Sequence, residues 1–294
     1  LGAIVELADG YIQARAPQGL TGGRIVFLTV SVGAAEKAIM AAVLAKGSSA
    51  SVNAARDPEI SDLADCLNAM GAQISGHGTD TIMIEGVNSL GGATHRVVAD
   101  RIEAGTFAIA AGITGGSLTL KQARPRHLDA LIEVLRLTGI DVREVDDDLI
   151  VTATDRVLAT DISTNPFPGF PTDLQAQFMA MMCVADGSSR ISETIFENRF
   201  MHVPELVRMG ADISVDGGVA LVRGRRQLTS APVMATDLRA SVSLVLAALA
   251  TEGQSEVSRI YHLDRGYSKL EEKLGQCGAR LERINDGKED DDVS

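Results

Sequence analysis

A helix that ends in glycine and turns directly into a strand occurs four times in this chain at nearly constant spacing. The segments are LADCLNAMGAQI (63–74), LIEVLRLTGIDV (131–142), VPELVRMGADI (203–213) and LEEKLGQCGARL (270–281). Their glycines, Gly71, Gly139, Gly210 and Gly278, stand 68, 71 and 68 residues apart. Before each glycine, apolar residues recur at three- and four-residue intervals, which marks a helix with one buried face. After it the pattern shifts toward period-two alternation, which marks a strand. Glycine belongs at the joint because the residue just past a helix needs a positive φ, which a Cβ penalises. A chain built this way folds as a set of similar α/β units. Its first residues, LGAIVEL, fit the same joint at Gly2.

A second helix is expected inside each unit, ending near Gly47, Gly116, Gly187 and Gly253. Its bodies, AIMAAVLA, TFAIAAGI, AQFMAMMCVA and SVSLVLAALA, are apolar on most sides, so they belong in the middle of the structure. The period is longer than the 20–50 residues of most solenoid repeats, which favours a compact assembly over an open stack. Short strands joined by turns such as Asp216-Gly217-Gly218 complete each unit. Because the register begins in mid-unit at Leu1, a preceding N-terminal segment is expected.

Composition narrows the function. The net charge is −12, with 27 Lys and Arg against 39 Asp and Glu. That field opposes non-specific nucleic-acid binding and docking on an anionic membrane. The longest apolar stretch, 242–250, is too short to span a bilayer and contains Ser243. Three scattered cysteines and no signal-peptide pattern point to the cytoplasm. The residues 286–294 carry Asp286, Glu289, Asp290, Asp291 and Asp292 and read as a solvated acidic tail. No metal-ligand spacing, P-loop, nucleophile elbow or dinucleotide fingerprint occurs, so neither a metal nor a cofactor is expected. Cys66, Cys183 and Cys277 read as core filler on helices.

The chemistry is expected at the front ends of the buried helices. Counting back from their glycines gives Ser31, Asp100, Asp173 and Asp237. Helix capping alone accounts for any one of these. Symmetry, however, would bring several positive helix ends together. Arginines recur before the outer helices at Arg56, Arg124 with Arg126, Arg199 and Arg265, and Arg239 follows Asp237 by two residues. Guanidinium groups around converging helix ends make a site for carboxylate or phosphate.

Several long segments resemble the enolpyruvyl transferase family, and its nucleotide-sugar branch in particular. They are SVGAAEKAIMAA, NAARDPEISDLADCLNAMGAQISGHGTDTI, ADRIEAGTF, FPTDLQAQF, TIFENRFMHVPELVRMGAD, VMATDLRAS and RIYHLDRGY. The resemblance runs to about residue 284. It implies an inside-out α/β barrel of pseudo-symmetric units of about 69 residues, the first units missing. Residues 1–97 would be the remainder of the first domain, on the nucleotide-sugar side, and 98–285 the second domain. The implied reaction moves enolpyruvate from phosphoenolpyruvate to the 3′-hydroxyl of UDP-N-acetylglucosamine and releases phosphate, by addition and elimination.

Carried over by position, Asp173 looks like the base near the sugar hydroxyl, with Arg265 also catalytic. Arg199, Arg239 and Arg265 look like the clamp on phosphoenolpyruvate. Asp237 joins the substrate-binding set, and Thr29, Val30, Ser31, Val32 and Ile195 look like contacts to the nucleotide sugar. The family often has Lys where Thr29 stands, and SVGATEN where Ala35 and Lys37 stand here. The family's loop bearing a general-acid Cys or Asp has no counterpart in this chain, so the chain alone is expected to be inactive. Two alternatives are a non-catalytic UDP-sugar-binding homologue and a shikimate-branch enzyme.

Overall fold

A computed structural model of the chain describes residues 1–8 and 10–284. The acidic stretch 286–294 lies outside the described residues. The chain divides into two compact units: one of residues 1–99 with 165–169, the other of 100–164 with 170 onward.

The first unit opens with an antiparallel hairpin, β1 (Ile4–Ala8) and β2 (Tyr11–Arg15), preceded by Gly2 at φ 79°. There follow β3 (Arg24–Val26), α1 (Val32–Ala42), β4 (Ser48–Val52), α2 (Pro58–Ala69), β5 (Gln73–Ser75) and β6 (Thr81–Glu85). The last four strands form one sheet in the order β3-β4-β6-β5, with β3 and β4 parallel and the rest antiparallel. Alternation in TIMIE sends Ile82 and Ile84 inward to meet Ile39 of α1 and Ile60 and Leu67 of α2. The helix α1 is only partly covered: Met40 and Leu44 are about half exposed, contrary to the expectation of a central buried helix. The face of α1 that does pack rests on its own sheet and α2.

The second unit repeats this order of elements once in full and twice in part. The helix α3 (Arg101–Thr114) leads to β7 (Ser117–Leu120), α4 (Asp129–Leu137), β8 (Asp141–Val145) and β9 (Asp148–Thr152). Then come β10 (Ile162–Ser163), α5 (Gln175–Met182), β11 (Ser188–Ser192), α6 (Val203–Arg208), β12 (Asp212–Asp216) and β13 (Val219–Arg223). The last set is β14 (Pro232–Met234), α7 (Ser241–Leu249), β15 (Glu256–Ser258), α8 (Tyr261–Asp264) and α9 (Leu270–Gln276). The sheet β10-β11-β13-β12 has the same order as the sheet of the first unit, and β7-β9-β8 repeats its last three strands. The turn at Gly217-Gly218 joins β12 to β13, as the sequence suggests.

The helices α3, α5 and α7 pack on one another and are buried on nearly every side. The outer helices α4, α6 and α9 bury one face each. Gly71, Gly139, Gly210 and Gly278 all follow their helices with φ of 102°, 88°, 87° and 98°, the conformation the recurring joint required. The glycines of the central helices differ from expectation. The left-handed cap of α3 is Gly115, one residue before Gly116. The helices α1, α5 and α7 end four or five residues before Gly47, Gly187 and Gly253. Their last residues leave the helix to bridge a preceding segment, as in Thr21 with Lys46, Leu158 with Asp186 and Thr229 with Glu252. Tertiary pairing there overrides the local helical pattern.

Candidate active site

In the second unit the front ends of α3, α5 and α7 each carry an aspartate, and each uses it differently. Asp100 caps α3, its Oδ1 accepting from the backbone N–H of Ile102 (2.8 Å) and Glu103 (3.1 Å). Asp237 accepts from the N–H of Arg239 and Ala240 just before α7, so its carboxylate also serves as a cap. Asp173 does neither. It lies inside a single 3₁₀ turn (172–174) ahead of α5 and makes no side-chain cap. Its carboxylate, about 40% exposed, pairs with the Arg199 guanidinium instead. Capping therefore does not account for Asp173, the residue carried over as a base.

The arginines sort in the same way. Arg239 donates from Nη2 to Asp100 Oδ2 at 2.9 Å and from Nη1 to the Gly266 carbonyl at 3.0 Å. Its guanidinium lies over the Tyr267 ring, 5.2 Å from the centroid. Burial pulls the Arg239 pKa down, but the charge and hydrogen bond of Asp100 outweigh it and hold it above the ordinary arginine value. Asp173 adds to that effect, which places its charge within electrostatic reach of Arg239. Arg199 donates to the Thr172 hydroxyl at 3.1 Å as well as to Asp173, and lies over the Phe196 ring at 4.8 Å. Arg265 follows α8, immediately before Gly266, with its side chain in solvent. Arg124 and Arg126 make no ion pair among the described residues, and Arg56 is exposed in the first unit. Of the expected arginines, Arg199 thus pairs with Asp173, Arg239 pairs with Asp100, and Arg265 stands next to Gly266, a partner of Arg239.

A buried polar cluster ties these front ends together. The Tyr267 hydroxyl, in a fully buried residue, is 2.9 Å from Thr106 Oγ1 on α3 and accepts from Gln177 Nε2 on α5 at 3.1 Å. The same Gln177 nitrogen donates to the Asp173 carbonyl at 2.8 Å. Burial raises the Tyr267 pKa, so the phenol stays protonated and neutral in the core. Ile195 lies half-buried in the loop after β11, and its N–H donates to Glu193 at 2.9 Å. In the first unit, Thr29, Val30 and Ser31 are exposed ahead of α1, while Val32 packs against that unit's core. Ser31 Oγ accepts from the Ala34 N–H at 3.3 Å and so caps α1.

The sequence reading missed Glu193, Thr172, Gln177, Thr106 and Tyr267. One signal was present for Glu193: Ser189, Ile191 and Glu193 share the buried parity of β11. Burial pushes the Cys183 thiol up to about 12, and Cys66 lies half-buried on α2. Cys277 is exposed just past α9, not on an apolar face as expected. No group of His, Cys, Asp and Glu that could hold a metal occurs among the described residues. Nor is any of their helices long and apolar enough to cross a membrane.

Comparison with known proteins follows the same lines. The family profile described as EPSP synthase (3-phosphoshikimate 1-carboxyvinyltransferase) matches residues 1–274. A UDP-N-acetylglucosamine 1-carboxyvinyltransferase of Gluconacetobacter diazotrophicus is 57% identical over 97% of this chain and 68% of its own length. A protein of the same name from Caulobacter vibrioides is 60% identical over 97% of this chain and 66% of its own. The chain therefore spans about two thirds of the length of these curated relatives. Among solved structures, the enolpyruvyl transferase NikO from Streptomyces tendae matches with a TM-score of 0.83 at 27% identity, over 95% of this chain and 69% of that one. EPSP synthase from Acinetobacter baumannii shares the fold at a TM-score of 0.65 and 16% identity, over 94% of this chain and 67% of that one. Repeated sheets, packed central helices and arginines gathered at their front ends thus have one common setting: this chain belongs to the enolpyruvyl (carboxyvinyl) transferase family and has its fold.

Proposed function

We propose that this chain carries the acceptor-proton and anion-binding part of an enzyme that transfers enolpyruvate from phosphoenolpyruvate to the 3′-hydroxyl of UDP-N-acetylglucosamine, the committing step of peptidoglycan synthesis in the cytoplasm. The observation that carries this reading is Asp173. Alone among the three front-end aspartates it spends no oxygen on backbone N–H groups, and it faces solvent beside Arg199. As a carboxylate it takes the proton of the sugar hydroxyl while that oxygen bonds to C2 of phosphoenolpyruvate and C3 gains a proton. Elimination then breaks the C2–O bond to phosphate, which takes the proton from Asp173 as it leaves, and C3 gives its proton back to the acid that supplied it. The general acid for C3 is assigned to no residue of this chain. Arg239, Arg265 and Arg199 offset the charge on carboxylate and phosphate. Asp237 holds the first turn before α7, and so places Arg239.

The Ile195 N–H is already taken by Glu193, which leaves the Ile195 carbonyl as the group for a sugar hydroxyl. Thr29 to Val32 are contacts to the nucleotide sugar in this reading, with 1–97 as the remainder of the first domain and 98–285 as the second. The exposed apolar side of α1, set against the three mutually packed helices of the second unit, supports a barrel of units of about 69 residues whose first domain is completed by an N-terminal segment. Neither a nucleic acid nor a membrane surface is a partner in this reading, and no cofactor enters the chemistry.

The test completes this chain with the third of the Caulobacter vibrioides relative that it does not cover and measures phosphate release. UDP-N-acetylglucosamine with phosphoenolpyruvate should support turnover, and Asp173→Asn should lower kcat by about 10²- to 10⁴-fold. Turnover with shikimate 3-phosphate in place of the nucleotide sugar would assign the chain to the other branch. Unchanged turnover in Asp173→Asn would remove the base.

A further inference from the structure

We propose that Glu193 is the positioning residue of this site: its buried carboxylate orients the Thr172 hydroxyl so that Arg199 is held against Asp173, and it folds the loop that carries Ile195. Glu193 is 7% exposed and stands one residue past β11, its own N–H bonded to the Gly218 carbonyl at 2.8 Å. Four donors converge on its carboxylate. Oε1 accepts from Thr164 Oγ1 (3.0 Å) and from the N–H of Ile195 (2.9 Å) and Phe196 (3.1 Å), while Oε2 accepts from Thr172 Oγ1 (2.8 Å).

The direction of this chain is forced. A guanidinium only donates, so Thr172 Oγ1 must accept from Arg199 Nη1. A hydroxyl has one proton, and with its lone pair facing Arg199 that proton goes to Glu193. Only an acceptor at position 193 takes the Thr172 proton and so fixes which way the hydroxyl points. A glutamine could place its NH₂ against Thr172, and the hydroxyl would then lose its acceptor. Arg199 would keep Asp173, but its second bond would rest on a hydroxyl free to turn, and its plane would loosen. The same carboxylate ties the backbone N–H groups of Ile195 and Phe196, which sets where Ile195 and, six residues on from Glu193, Arg199 can lie.

The hydrogen-bond role stands on geometry alone; only its consequence for sugar binding rests on the proposed transferase reading. The first measurement is therefore the nitrogen-15 spectrum of arginine side chains in this chain, with the Arg199 signals assigned by their loss in Arg199→Lys. In the wild type, the two Nη groups of Arg199 should be resolved by hindered rotation. They should collapse in Thr172→Val and in Glu193→Gln and remain resolved in Thr172→Ser, which keeps the hydroxyl. Resolved signals in Thr172→Val or Glu193→Gln, or equal collapse in Thr172→Ser, would overturn the proposal. Should Glu193→Gln fail to fold, the Thr172 pair decides it, because those variants leave the loop's bonds intact.

The second measurement is affinity for UDP-N-acetylglucosamine. Glu193→Ala, which removes the acceptor from the Ile195 and Phe196 N–H groups, should weaken it about tenfold or more by displacing the Ile195 loop, and Thr172→Val by less than about twofold. Equal affinity in Glu193→Ala and wild type would overturn the loop half of the proposal. No binding by the wild type would count against the transferase reading, while the spectra would still decide the part played by Glu193.

Discussion

The helices α1 and α5 occupy the same place in the order of elements, each leading from a short strand into the second strand of a four-stranded sheet of the same topology. Their surroundings differ. The helix α5 packs against both α3 and α7, and all eight of its residues are buried. The helix α1 packs on its own sheet and α2 and leaves Met40 about half exposed. Their front ends differ too: Ser31 caps α1, whereas Asp173 ahead of α5 leaves capping aside and pairs with an arginine. An apolar helix thus fixes the fold of a unit, while its company decides whether its front end is spent on local stability or kept for chemistry.

The largest expected contrast is between two methionines. Met179 on α5 is fully buried, so Met179→Lys places a charge where three helices meet. It should cost about 4 kcal/mol or more, enough to unfold the second unit. Met40→Lys on α1 should change stability by no more than about 0.5 kcal/mol. Urea unfolding followed by circular dichroism measures both, and equal costs would erase the distinction between the two helices.

The outer helices extend the comparison to pH. In the first unit His77 and His95 stand against carboxylates, Asp65 at 3.1 Å and Asp62 at 3.0 Å. In the second, His202 is fully buried at the start of α6 with neither ring nitrogen hydrogen-bonded. Burial and then the Arg199 charge lower its pKa to about 3. Above about pH 6.5 the ring is neutral whether folded or unfolded. Between there and about pH 3, the unfolded chain binds a proton that the folded one refuses. Stability is therefore lost as pH falls through that window, by about 1.4 kcal/mol per pH unit from this group. His202→Leu should flatten the acid side of the stability profile and be neutral or stabilising at pH 7, because it removes two orphaned ring atoms. An unchanged acid slope in His202→Leu would place the proton-linked loss elsewhere.

The architecture was legible in the sequence because its signals are local. A glycine after an amphipathic helix states its own φ, and the four joints at Gly71, Gly139, Gly210 and Gly278 needed no tertiary information. The ends of α1, α5 and α7 were misplaced because strand bridges formed by residues far apart in the chain pull the final turn open. The site was half legible. Asp173, Arg199 and Arg239 stood in polar stretches at element boundaries. Their pairing was hidden, since it depends on a 3₁₀ turn and on a loop folded around Glu193. Tyr267 and Gln177 read as ordinary core and helix residues, because a buried hydroxyl and amide are recognised only by the partners the fold brings to them.

The smallest effect tests the front end of α1. Ser31 accepts one N–H at 3.3 Å, a long bond in an exposed cap. Ser31→Ala should therefore cost only about 0.5–1 kcal/mol of unfolding free energy, the low end for a lost N-cap. Its hydroxyl proton and second lone pair stay available, so a ligand lying along 29–32 would also feel the change, by about fivefold in affinity for UDP-N-acetylglucosamine. Differential melting with and without the nucleotide sugar separates the two effects. A stability loss with unchanged affinity would reduce Ser31 to a cap, confine the binding chemistry to the second unit, and make the front ends of α1 and α5 different in kind.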